Sequence, residues 1–160
     1  MTEHEPGSRL VAFKNVTVSE DYFQGHFPGT PLMPAVLMIE ALTQVAAALI
    51  LDRDGTSPAA RVSLRGVNAA KFRRNVFPGD RLHLDVTLGR VRSRLAKAQA
   101  QASMDGQTVA EMELLLAVEQ DGALIDASAH VHPSARVGDG TTIGPQASHG
   151  ARAIVRRRPR

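Results

Sequence analysis

The segment Pro34–Asp52 (PAVLMIEALTQVAAALILD) constrains the fold more than any other stretch of this chain. It runs for nineteen residues without glycine and holds proline only at its first position, where a missing N–H costs nothing. The spacing predicts one long helix. It is apolar nearly all round, which assigns it to the interior. Its few polar residues, Glu40, Thr43 and Gln44, stand at i, i+3 and i+4 and are expected on one face. A buried helix needs a cover, and the rest of the chain offers strands to supply it.

Arg9–Val18 alternates and carries β-branched residues, so it reads as a strand. The stretch SEDYFQGHFPGTPLMP follows, with too much glycine and proline for a helix, and is expected to be a specific loop. The turn DRDGTSP closes the long helix. Strands are expected at 61–68, 81–94, 95–104 and 107–118, with turns at FPGD (77–80) and Asp105-Gly106. In 95–104 the alternation is nearly perfect: Ala96, Ala98, Ala100, Ala102 and Met104 fall on one face, Lys97, Gln99, Gln101 and Ser103 on the other. The fold class is α+β: an antiparallel sheet with one polar face, curled around one central helix.

After Asp121 the character changes. Ile125, Val131, Val137 and Ile143 recur every six residues among small and polar ones, the mark of a β-helix. The expected organisation is a disordered end at 1–8, one domain at 9–121, a partial left-handed hexapeptide coil at 122–147, and a basic disordered tail at 148–160.

Composition removes several functions. The net charge is +3 and the pI about 9.9, but five arginines lie between Ser148 and Arg160. Without that tail, 14 basic residues face 16 acidic ones, so no body-wide basic stripe exists for nucleic acid. Cysteine is absent, which excludes disulfides and thiolate chemistry and fits a cytoplasmic location. No run of 18 apolar residues exists, so no membrane span is expected.

Two polar residues are candidates for chemistry. His26 stands in GHFPG, a loop whose glycines and proline fix the backbone. Glu40 stands mid-helix among Met38, Ile39, Ala41 and Leu42, where desolvation would favour its protonated form. Each has a plain alternative. A loop histidine is commonly an ordinary hydrogen-bonding group, and a single glutamate on an apolar helix commonly marks its solvent-facing spot.

Together they are more specific. GHFPGTPLMPAVLMIEALTQ resembles the signature of the β-hydroxyacyl-acyl carrier protein dehydratases of the hot-dog fold, the FabZ family. The resemblance continues through AAKFRRNVFPGDRLHLDV, the DG turn and AEMELLLAV, and covers residues 9 to 120. It implies removal of water from a (3R)-3-hydroxyacyl thioester on acyl carrier protein, giving the trans-2-enoyl thioester. By similarity His26 takes the C2 proton and Glu40 handles the departing water. Substrate-binding positions would be Phe27, Gly29, Ala35, Val36 and Gln44, with the N–H groups near Ala35 and Val36 facing the thioester oxygen. Lys71, Arg73 and Arg74 would meet the carrier protein. The resemblance also implies a homodimer, or a trimer of dimers, with the His and Glu of one site on different protomers, and no metal or organic cofactor.

This chain departs from that pattern in two places. Ala35 stands where the family usually has glycine. The chain also begins near the turn that follows a PHRYPFLLVDR-like segment of the family, so an exposed sheet edge is expected. A non-catalytic remnant that binds acyl carrier protein is therefore the second reading. Residues 125–145 resemble the opening of UDP-N-acetylglucosamine acyltransferase, an enzyme of lipid A synthesis, which implies a link to that pathway and makes His130 and His132 parts of the coil.

Overall fold

The computed structural model of the protein describes residues 3–53, 60–92, 94–120, 124–138 and 141–155. Six strands form one antiparallel sheet: β1 (Glu3–Glu5), β2 (Arg9–Asn15), β3 (Ala60–Phe72), β4 (Arg81–Arg92), β5 (Leu95–Met104) and β6 (Gln107–Gln120). Their spatial order is β1-β2-β4-β5-β6-β3. The long helix α1 (Ala35–Leu51) lies against the inner face of this sheet.

Alternation builds that inner face. Leu82, Leu84 and Val86 of β4 and Met112, Leu114 and Leu116 of β6 point inward and are buried. Ala96, Ala98, Ala100 and Ala102 of β5 lie between them, each 3 % exposed or less. Short side chains in this row leave room for Met38, Leu42, Val45, Ala46, Leu49 and Ile50 of α1, which fill the core.

The helix is less enclosed than its composition implies. Val36, Glu40, Gln44 and Leu51 are exposed, so one stripe of α1 faces away from the sheet. Thr43 does not join Glu40 and Gln44 on that stripe but is buried. A helix has 100° per residue, so position i+3 can cross the boundary of a stripe that i+4 stays within.

Several boundaries differ from the sequence expectation. Strand β2 ends at Asn15 because Val16 turns away: its N–H donates to Asp80 and its carbonyl accepts from Gly79. Strand β3 continues to Phe72 through a bulge between Asn68 and Lys71, where Ala69 adopts φ 50°. The N-terminal residues are not all loose, since β1 pairs with β2 in the register Glu3↔Val11, His4↔Leu10, Glu5↔Arg9. Arg9 bonds both Glu3 and Asp85, and His4 contacts Asp52 at 2.9 Å. The expected bare edge is thus covered over Arg9–Val11.

Past the sheet, six two-residue strands follow: β7 (Leu124–Ile125), β8 (His130–Val131), β9 (Arg136–Val137), β10 (Thr142–Ile143), β11 (Ser148–His149) and β12 (Ile154–Val155). β10 lies parallel on β7, β11 on β8 and β12 on β9, each eighteen residues apart. This is two turns of a three-sided coil. The expectation of disorder from 148 onward is corrected up to Val155. The sequence signal failed because His149 occupies a place that Ile or Val fills elsewhere in the repeat. Residues 156–160 lie outside the described residues. Serines tie the two turns: Ser128 Oγ accepts from the Gln146 N–H and Ser134 Oγ from the Arg152 N–H.

Candidate active site

The loop after β2 carries His26, and its own backbone holds it. A short 3-10 helix, Asp21–Gln24, leads in, and the Tyr22 carbonyl accepts the His26 N–H at 3.0 Å. The Leu32 N–H returns to the His26 carbonyl at 2.9 Å, and the Met33 N–H is bound by the Val76 carbonyl at 2.8 Å. Phe27-Pro28-Gly29-Thr30 forms a reverse turn closed by Thr30 N–H to Phe27 O, with Gly29 at φ +75°. Proline second and a left-handed glycine third are what a type II turn requires. The His26–Phe27 peptide bond is cis.

The His26 ring is fixed in one tautomer. Its Nδ1 lies 2.8 Å from the Leu32 carbonyl oxygen. A carbonyl only accepts, so Nδ1 carries a hydrogen, and in the neutral ring Nε2 is the nitrogen with the lone pair. The half-exposed Phe27 ring stacks on the imidazole at 4.0 Å between centroids.

The same loop delivers the chain into α1. Pro34 is the N-cap and its carbonyl accepts from Leu37. No side chain caps this end and no acidic residue occupies the first turn. The N–H groups of Ala35 and Val36 have no intrahelical acceptor, so they remain donors at the positive end of the helix dipole. Ala35 packs against the core, whereas Val36 is 65 % exposed.

Glu40 is not desolvated within the protomer, contrary to the sequence expectation. It lies on the exposed stripe of α1 and accepts a hydrogen bond from Gln44 Nε2 at 2.9 Å. One helical turn separates the pair, so the amide reaches the carboxylate directly.

Sequence reading missed a second polar group beside the loop. Lys14 of β2 shares the inward row with Leu10 and Ala12, opposite buried Leu82. Its Nζ reaches both oxygens of Glu20 at 3.2 Å, and Glu20 also accepts the Thr17 N–H. Burial pushes the Glu20 carboxyl up, but the Thr17 N–H and Lys14 outweigh it and hold the group below the usual carboxylate range. Tyr22 is pushed up to about 12, first by burial and then by the neighbouring Glu20. The sequence signal was a lysine in an otherwise apolar inward row.

The three basic residues near the end of β3 have partners of their own. Lys71 and Arg73 both contact Glu111, and Arg74 bonds the neutral amide of Gln107. Lys71 also shares a surface hollow with Asp85, Glu111 and Glu113. Among the described residues no group of three or more His, Asp or Glu is placed to hold a metal ion.

Residues 1–113 match the model of the FabA-like domain. The chain is 45 % identical over 114 residues to a 3-hydroxyacyl-[acyl-carrier-protein] dehydratase FabZ of Myxococcus xanthus, covering 71 % of this chain and 74 % of that one. It is 47 % identical over 116 residues to the FabZ of Herpetosiphon aurantiacus, covering 72 % and 82 %. The chain belongs to the FabZ family. Solved structures agree on the fold. A hot-dog-like protein from Thermanaerovibrio acidaminovorans matches with TM-score 0.58 at 19 % identity, over 71 % of this chain and 82 % of that one. The dehydratase heterocomplex ApeI:P from Xenorhabdus doucetiae matches with TM-score 0.56 at 23 % identity, over 72 % and 92 %. This FabZ-family chain thus carries a hot-dog unit, and its match to the family model stops at residue 113, before the coil.

Proposed function

We infer that this chain dehydrates (3R)-3-hydroxyacyl thioesters on acyl carrier protein to trans-2-enoyl thioesters in fatty acid biosynthesis. The observation that carries the reading is the His26 Nδ1 bond to the Leu32 carbonyl, which in the neutral ring leaves the Nε2 lone pair free in the loop that runs into the free N-terminus of α1. Nε2 takes the proton from C2. The thioester oxygen gains negative charge and accepts from the N–H groups of Ala35 and Val36. A protonated Glu40 delivers its proton to the C3 hydroxyl, which leaves as water. Return of the His26 proton to Glu40 through solvent resets the site.

Glu40 must be protonated for this, and it is exposed in the single protomer. A homodimer would remove the difficulty, since docking of a second protomer takes the Glu40 carboxyl out of water. Each site then pairs His26 with the partner subunit's Glu40. Edge strand β3 supports such an assembly, since β6 pairs only one of its sides and Leu64 and Phe72 stand exposed on it. Three dimers would assemble further into a hexamer. Gln44 would hold Glu40 in line, and Phe27 and Gly29 would border the acyl chain. The basic residues Lys71, Arg73 and Arg74 would receive the carrier protein, in the cytoplasm and without a cofactor.

The test is turnover of a (3R)-3-hydroxyacyl-carrier-protein by wild type and Glu40→Gln. Equal rates would remove Glu40 from the mechanism. Carrier binding with no turnover by the wild type, even at high enzyme concentration, would establish the non-catalytic remnant instead. The two stacked coil turns support a further reading, that 122–147 is an acyltransferase-like hexapeptide segment that ties this chain to lipid A precursors.

A further inference from the structure

The dehydratase reading needs Nε2 of His26 aimed at C2 of a thioester, and misplacement by about 1 Å costs roughly 100-fold in rate. His26 hangs from two backbone contacts. Its N–H is held by Tyr22 O, and its carbonyl by the Leu32 N–H. The Leu32 side is tied to the body through Met33 and Val76. On the Tyr22 side the chain leaves the sheet at Val16 and runs ten residues to His26 through the 3-10 helix.

Lys14 and Glu20 close that span. Glu20 immediately precedes the 3-10 helix, and its carbonyl accepts the Phe23 N–H at 3.1 Å. Its carboxylate grips Lys14, which belongs to a strand paired along its length with β4. The lysine is 27 % and the glutamate 25 % exposed, so the pair is shielded from solvent more than the surface pairs of the sheet. A charge in the inward row at the end of a strand is costly without a function, because methionine or leucine would pack there without a partner.

We propose that Lys14 and Glu20 are positioning residues for His26: their ion pair ties the 3-10 helix to β2, sets the Tyr22 carbonyl, and through it fixes the direction of the imidazole. The inference rests on the dehydratase reading, and it concerns orientation and not the chemical step. If the strap is cut, the Tyr22 carbonyl moves, the His26 ring loses its register with Leu32, and both tautomers become populated. Half-protonated Nε2 is a poorer base, and kcat falls while KM holds.

The experiment compares Lys14→Met, Glu20→Gln and Lys14→Arg with wild type. Nitrogen chemical shifts of the His26 ring report the tautomer, with the signal assigned by its loss in His26→Gln. Lys14→Met and Glu20→Gln are expected to show mixed tautomers and kcat lowered by roughly 10- to 100-fold at unchanged KM. Lys14→Arg keeps the pair and is expected to restore both the Nδ1–H tautomer and kcat. Retention of the wild-type tautomer and kcat in the first two variants would overturn the proposal, whatever happens to their melting temperatures. So would a rise in KM with the tautomer intact. The ring measurement needs no substrate, so it decides the proposal even where the wild type proves unable to dehydrate the tested thioester.

Discussion

Gly25 and Gly29 flank the candidate base, and they offer a matched pair of substitutions. A Cβ added at either position meets nothing within 4 Å. Packing therefore drops out, and only the backbone distinguishes them. Gly25 has φ −113° and ψ −13°, which alanine adopts freely. Gly29 has φ +75°, the left-handed region. Replacing glycine by alanine at a compatible site stabilises by about 0.4–1 kcal/mol, through the unfolded chain. Left-handed backbone costs an L-residue about 1–2 kcal/mol. Gly25→Ala should thus gain the first amount, and Gly29→Ala should lose the second less the first. The two variants should differ by about 1–2 kcal/mol. For a chain of this size 1 kcal/mol moves Tm by roughly 2–4 °C, so the melting temperatures should separate by roughly 2–8 °C, with Gly25→Ala the higher. Thermal unfolding followed by circular dichroism measures this directly. Equal melting temperatures, or Gly29→Ala above wild type, would refute the assignment of the turn as type II and with it the rigid loop on which His26 is placed.

Leu42→Ala removes a fully buried side chain from the helix that carries Glu40, and should cost about 2.7–5 kcal/mol in denaturant unfolding. Tyr22 is the one tyrosine of a chain without tryptophan, so ultraviolet titration reads it alone, and the phenolate should appear at a pH of about 12. Because its folded pKa is raised, its contribution is present below the unfolded tyrosine value and lost as pH rises toward 12. Tyr22→Phe should remove that alkaline loss. Glu20 is shifted the other way: its contribution is present above the unfolded carboxylate range and disappears as pH falls through the lowered folded value. The Tm gap between wild type and Glu20→Gln should therefore close in acid. His149→Val restores the apolar repeat of the coil and should raise protection of the His130 and His132 amides, which donate to the carbonyls of residues 147 and 149, in hydrogen exchange.

Local chemistry wrote most of the fold into the sequence. The helix could be read because Pro34 and Asp52 bracket a run that no strand could accommodate, and they prove to be its N-cap and C-cap. The alanines of β5 could be read because a strand repeats every two residues and needs no neighbour to reveal its faces. The GHFPG loop announced itself through residues that restrict φ, and its turn forms where Pro28 and Gly29 demand it.

Whatever depends on a distant partner stayed hidden. Lys14 met Glu20, and Lys71 and Arg73 met Glu111, through side chains whose reach one-dimensional spacing does not encode. Periodicity alone could not decide that Thr43 is buried while Gln44 is exposed, because the edge of a helical stripe is drawn by the sheet it packs on. The coil beyond Ser148 was invisible for the same reason: stacking at eighteen residues tolerates His149 once Val131 lies beneath it. The sequence by itself determined one apolar helix, an alternating antiparallel sheet and a loop built to hold a histidine. Only the tertiary structure decided which nitrogen of that histidine is free, since the Leu32 carbonyl that binds Nδ1 is brought back by the closure of the loop.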